Sequence, residues 1–246
     1  MALTSQALYG RLFDRYAAAA DGKRLVGAAL VELLRARGVR TVLDVGAGDG
    51  RLTSSLAAGG LSVLAAEPNP DFDGALAALR PLGVTAVRAR VQELPPDIGR
   101  FDAVLLSYVL DSVPEEEIRA VHTALRRVVA PGGCFLGVTY AEQSPWRTYS
   151  AAVEADIGPC LSGGRTRVFT ALEQAGRTVL PLVTVTTGLY AASPYELFDG
   201  LAFFYRRRLT AYRAARERLL PRLARLAVTG GGVCRLAVDE VVFEWS

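Results

Sequence analysis

Three glycines, Gly46, Gly48 and Gly50, alternate directly after the β-branched run Thr41 to Val45 and lead into a helical pattern from Arg51 to Ala58. This strand, turn and helix constrain the fold more than any other segment, because backbone without Cβ atoms approaches a ligand closely. A second strand, Ser62 to Ala66, ends at Glu67, about 20 residues beyond the turn, where a carboxylate accepts both hydroxyls of a ribose. Together they point to a nucleoside. The turn reads G-x-G-x-G rather than the G-x-G-x-x-G of dinucleotide sites, and it lacks the Lys-Ser/Thr pair of a P-loop. Pyrophosphate and triphosphate ligands lose ground accordingly.

The same alternation extends in both directions. Leu8 to Arg37 carries apolar residues at helical spacing, interrupted near Asp21-Gly22, and predicts two helices. Beyond Glu67, a helix over Asp73 to Arg80 and a strand over Val84 to Arg88 are expected, then an apolar strand from Phe101. Ser112 and Glu115, with Pro114 between them, predict a capping box for a helix over Glu116 to Val129. Pro131-Gly132-Gly133 is expected to end that helix and turn into the strand Cys134 to Tyr140. Strands separated by helices at this spacing specify a mostly parallel sheet covered on both faces. Farther on, a polar connection from Ala141 to Arg165 is expected to cap the strand ends. A helix over Arg167 to Ala175, a strand over Thr178 to Thr187, a long helical region over Pro194 to Leu226 and a final strand over Cys234 to Trp245 complete the pattern. The last two strands are expected to pair antiparallel at one edge.

Composition narrows the class. A hydrophobic fraction of 51% excludes a disordered chain, and no apolar run is long enough for a membrane span. The beginning mixes acidic and basic residues without the n- and h-regions of a secretory signal, so a cytoplasmic location is expected. Cys134, Cys160 and Cys234 stand apart from one another and from any histidine cluster, signalling neither a disulfide frame nor a metal site. The net charge of +3 raises the possibility of nucleic acid, but the basic residues are spread among acidic ones. Their main cluster, from Arg206 to Arg225, reads as the solvated face of an amphipathic helix. Lys23 is the only lysine among 28 lysine and arginine residues.

The segments LDVGAGDG, AAEPNP, RVQELP, FDAVLLSYVLDSVP and LRRVVAPGGCFLGVTY, spanning Thr41 to Tyr140, resemble class I S-adenosylmethionine-dependent methyltransferases in order and spacing. The resemblance implies an α/β, three-layer αβα, Rossmann-like fold: a mostly parallel seven-stranded sheet with an antiparallel edge strand. One domain over residues 1–246 is expected, with N-terminal helices as a lid (1–40), a cofactor-binding core (41–140), and cap insertions and closing strands (141–246). S-adenosylmethionine is the implied cofactor. Asp44, Gly46, Ala47 and Gly48 would cradle its methionine portion, Glu67 would take the ribose hydroxyls, and Pro68 would lie against the adenine. Where relatives offer an Asp to the adenine this chain has Arg90, followed by Val91 and Gln92 beside the cofactor, so Gln92 or Glu93 is left to supply that contact. Ser107 and Tyr108 would lie near the sulfonium.

Because the sulfonium is already an activated leaving group, the protein must chiefly align the reactants and exclude water. Tyr108, Asp111 and Tyr140, at the carboxyl ends of strands, are the candidates for acceptor contact and proton removal. Asp111 has a second reading as a carboxylate at a helix N-terminus, and His122 falls on the core-facing helical spacing. The expected activity is methyl transfer to a small-molecule acceptor, with no metal and no membrane partner, and a homodimer is possible. Three alternatives share the cofactor site: an intramolecular cyclase releasing methylthioadenosine, a nucleic-acid methyltransferase, and a non-catalytic cofactor-binding subunit. The Asn/Asp-Pro-Pro-aromatic motif common in base-amino methyltransferases is replaced here by Ser107-Tyr108-Val109-Leu110.

Overall fold

The computed structural model describes residues 5–95, 97–160 and 165–246. The expected N-terminal helices are α1 (Ser5–Ala19) and α2 (Gly22–Ala36), and the glycine turn joins β1 (Thr41–Val45) to α3 (Arg51–Ala58). Next come β2 (Ser62–Ala66), α4 (Asp73–Ala77), β3 (Thr85–Val87), β4 (Phe101–Ser107), α5 (Ile118–Leu125) and β5 (Val129–Tyr140). The remainder contains α6 (Pro145–Ile157), α7 (Arg165–Gln174), β6 (Val179–Ala191), α8 (Pro194–Leu201), α9 (Leu209–Ala214), α10 (Arg216–Leu226), β7 (Val228–Gly230) and β8 (Val233–Trp245).

The strands run in the order β3-β2-β1-β4-β5-β8-β6. β1 pairs in parallel with β2 and β4, β2 with β3, and β4 with β5, whereas β8 is antiparallel to β5. The seven expected strands thus lie on one path; the short β7 pairs with β8 beside it. No helix among the described residues is long and apolar enough to cross a membrane.

Contacts divide the chain into two compact units of interleaved segments. One comprises residues 23–140, 163–185 and 240–246; the other comprises 1–22, 141–162 and 186–239. The first holds the glycine turn. Its core joins Val26, Leu30 and Leu34 of α2 and Leu52 and Leu56 of α3 to Val42, Val63, Ala103, Leu105, Leu136 and Val242 of the strands. Fully burying a leucine or valine contributes about 1.5–3 kcal/mol, so these faces hold both helices against the sheet. Asp102 ties the start of β4 to β1, accepting from the Arg40 and Thr41 amides at 2.9 Å each, and those bonds lower its carboxyl below the ordinary range. His122 is packed rather than free: Trp245 Nε1 donates to its Nδ1 at 3.3 Å, Arg177 lies 3.0 Å from its Nε2, and burial lowers its pKa to about 4.

The second unit is built around aromatic side chains. The rings of Phe198 and Tyr212 stack at 4.2 Å and those of Tyr205 and Tyr212 at 4.4 Å, while Tyr149 and Tyr212 join hydroxyls at 3.2 Å. Tyr9, Phe13 and Tyr16 of α1 pack on Phe203.

Several boundaries differ from the sequence pattern. The segment 141–165 is not simply a polar connection: α6 lies within it with Trp146, Tyr149 and Val153 buried, and residues 161–164 lie outside those described. Pro131-Gly132-Gly133 is inside β5 rather than before it, because a register irregularity between Phe101 and Ala103 accommodates the extra residues. The Ser112 capping box does not form; Ser112 Oγ donates back to Val109 O at 2.8 Å, and the helical segment begins after Pro114 as a 3-10 turn, Glu115–Glu117. The long helical region over Pro194 to Leu226 is broken into α8, α9 and α10, with a 3-10 turn at Arg206–Arg208.

Candidate functional site

The turn after β1 is shaped by three left-handed glycines, with φ of +73° at Gly46, +58° at Gly48 and +75° at Gly50. A side chain at Gly46 would place its Cβ 2.4 Å from Val109 Cγ2, so that glycine permits packing of the turn on the end of β4. At Gly48 a Cβ would meet nothing within 4 Å. The space above Gly48 is where backbone is open to a ligand. Gly46 N and Ala47 N both donate to Ala66 O, at 2.7 and 3.3 Å, fixing the turn against β2.

Two carboxylates flank this open backbone. Glu67 is buried and bridges the turn to its own loop: Oε2 accepts from Gly48 N at 2.9 Å, and Oε1 from Asn69 N at 2.8 Å. Pro68, beside it, is exposed. Asp44 is 1% exposed; its Oδ2 accepts from Thr53 Oγ1 at 2.6 Å, while its Oδ1 accepts no hydrogen bond among the described residues. Burial pushes its carboxyl above the ordinary aspartate range, against the opposing pull of Thr53 and Lys23. An orphaned acceptor so well buried implies a donor supplied from outside the chain.

At the end of β4 the chain turns sharply. Tyr108 is the only non-glycine among the described residues with positive φ, +58°, a conformation that persists only where its surroundings enforce it. Its ring is 5.0 Å from that of Tyr140, and its hydroxyl donates to Glu240 on β8. The Lys23 ammonium lies 4.4 Å over the ring and 3.4 Å from Ser107 Oγ. Burial pushes Lys23 below the usual lysine range, and Asp44, Glu240 and Asp49 oppose that shift by favouring the charge. Asp111 lies a few residues on, where Oδ1 accepts from Thr139 Oγ1 at 2.8 Å. Its helix-terminus reading fails, since that helical segment opens only after Pro114. Arg167 of α7 secures this bend through bonds to the carbonyls of Leu110, Asp111 and Val113.

A family model described as a methyltransferase domain matches residues 42–133. An uncharacterised methyltransferase of Mycobacterium tuberculosis is 37% identical over 103 residues, which are 42% of this chain and 41% of that protein. The central part of this chain is thus similar to methyltransferase domains. The match spans about two fifths of the curated relative's length. The methyltransferase fold extends further than the sequence match. A putative methyltransferase from Bacillus halodurans superposes with a TM-score of 0.57 at 18% identity, covering 89% of this chain and 97% of that one. The magnesium protoporphyrin IX methyltransferase of Synechocystis, with bound S-adenosylhomocysteine, gives 0.52 at 15% identity, covering 89% and 83%.

Between Asp44 and Tyr140, the residues anticipated from the sequence fall into three places. Asp44, Gly46, Ala47, Gly48 and Glu67 are joined through the turn by the bonds described above. Ser107, Tyr108 and Tyr140 gather at the ends of β4 and β5, and Asp111 is tied to that group through Thr139. Val91 and Gln92 lie in a separate 3-10 turn, Val91–Glu93, with Val91 buried and Gln92 exposed. Glu93 reaches back to the Arg90 amide at 3.4 Å. Lys23, Thr53, Arg167 and Glu240 were not anticipated. Of these only Lys23 left a sequence signal, as the one lysine in an arginine-rich chain.

Proposed function

We propose that this protein is a methyltransferase that transfers the methyl group of S-adenosylmethionine to a small-molecule acceptor. The observation that carries the reading is the coincidence, on one turn, of open backbone at Gly48, the orphaned Asp44 Oδ1 and the tethered carboxylate of Glu67. The cofactor offers a complementary set: an ammonium donor, vicinal ribose hydroxyls and an edge that backbone can approach. The Synechocystis neighbour with bound S-adenosylhomocysteine supports the choice of cofactor.

When bound, S-adenosylmethionine supplies a methyl group on a positively charged sulfur. The chain's own residues do the rest. Asp44 would accept from the ammonium, while Glu67, fixed by two amides, would present its remaining lone pairs to the ribose. Pro68, Val91 and Gln92 would border the adenine, and Ser107 and Tyr108 would bound the sulfonium side. Tyr108 and Tyr140 orient the acceptor, and Asp111, braced by Thr139, takes the proton of an amine or alcohol.

A small-molecule acceptor fits the charge distribution better than nucleic acid, because arginines of the 206–225 cluster engage their own unit. Arg218 forms a bidentate pair with Asp156, Arg206 lies over Phe203, and Arg216 lies over Tyr195. The test is to incubate purified protein with S-adenosylmethionine, with and without a pool of small metabolites, and follow products by mass spectrometry. S-adenosylhomocysteine formed only with the pool is expected. Methylthioadenosine formed without any acceptor would overturn the reading.

A further inference from the structure

Glu240 is a buried acidic side chain to which the methyltransferase reading gives no task. It is 2% exposed, lies opposite Tyr140 in the β5–β8 register, and accepts the hydrogen bond of the Tyr108 hydroxyl. Stability alone explains it poorly, since a buried carboxylate is often no better than a packed apolar side chain. Tyr108, its donor, is held in a left-handed conformation at the end of β4, with Tyr140 beside its ring and Lys23 over its face. Such a backbone is unfavourable for a residue with a side chain and persists only where its surroundings enforce it. Several contacts from separated parts of the sequence therefore converge to orient one phenol.

A phenol has one proton to donate. Once that proton is committed to a carboxylate, the oxygen is an acceptor toward every other group, and the charged partner increases its electron density. We propose that Glu240 is a positioning residue for methyl transfer that acts through Tyr108, keeping the phenol oxygen an acceptor toward the cationic sulfonium. This rests on the methyltransferase reading. A sulfonium gains from such an oxygen and a neutral thioether gains little, so the effect of Glu240 lies in the preference for S-adenosylmethionine over S-adenosylhomocysteine.

Calorimetric affinities of both molecules for the wild type, Glu240→Gln, Tyr108→Phe and the double variant test this without an acceptor. Glu240→Gln is expected to lower the S-adenosylmethionine preference by about three- to tenfold, the scale of one hydrogen bond. Tyr108→Phe should do the same, and the double variant should show no further loss. An unchanged preference, or losses that add, overturns the proposal. Equal weakening of both ligands also overturns it, because that is the signature of a purely structural role. Should Glu240→Gln fold poorly, Tyr108→Phe reads the same preference with the carboxylate retained. If the wild type binds neither molecule, the methyltransferase reading falls and this proposal with it; a lost effect with binding intact refutes the proposal alone.

Discussion

Replacing Glu67 by Gln should weaken S-adenosylhomocysteine binding by about 1.5–3 kcal/mol, or roughly 10- to 150-fold. The magnitude follows from the two bonds that the carboxylate makes. Both its oxygens accept from backbone amides, Gly48 N at 2.9 Å and Asn69 N at 2.8 Å, and glutamine has one carbonyl oxygen for the two positions. In either rotamer an NH2 group faces an N–H, so at least one bond to a charged acceptor is lost, and the ribose loses a carboxylate. Glu67→Ala, which removes both bonds without placing donor against donor, should weaken binding by a similar amount. Calorimetry with S-adenosylhomocysteine measures the loss directly, and thermal melts of the free variants separate it from any loss of fold. If both variants bind within twofold of the wild type, Glu67 is not at the ribose and its tether to Gly48 is purely structural.

Gly46→Ala and Gly48→Ala should part company. Both strain a left-handed backbone by about 1–2 kcal/mol, but Gly46→Ala also drives a methyl into Val109 and should lower Tm further, whereas Gly48→Ala should retain most stability and lose ligand affinity. Equal Tm losses would refute the distinction. Lys23→Arg should weaken S-adenosylmethionine binding severalfold despite preserving charge, because a planar guanidinium cannot replace a compact ammonium between Ser107 and the Tyr108 ring; wild-type affinity would show that only charge matters there. His122, with its folded pKa lowered to about 4 from 6.5, makes the unfolded chain bind more protons between those values. Stability should therefore fall as pH drops through that window, and His122→Gln should flatten the slope in denaturant titrations at a series of pH values.

The local parts of this fold were legible because local chemistry determines them. β1, α3 and β2 fall at the anticipated positions, since β-branched residues, glycines and a short helical period succeed one another without competition. Where tertiary contacts decide, the pattern misleads. Pro131-Gly132-Gly133 reads as a break, yet a bulge lets β5 absorb it. The helical spacing of Trp146, Tyr149, Val153 and Ile157 was present, but the polar residues around it concealed α6. Asp44, Gly48 and Glu67 could be nominated because one short supersecondary unit holds them. Glu240 and Lys23 could not be given roles, because they meet Tyr108 from 132 and 85 positions away only after β8 and α2 have packed.

The solitary lysine makes the site chemically addressable. Amine-directed acylation distinguishes lysine from arginine, so Lys23 is the one side-chain amine in the chain that such a reagent can mark. Its nitrogen lies against Ser107 and the Tyr108 ring, and an acyl group there would remove the charge from the end of β4. Peptide mapping would then read protection by a bound nucleoside as a single mass shift, turning occupancy into a quantity that can be followed without knowing the acceptor.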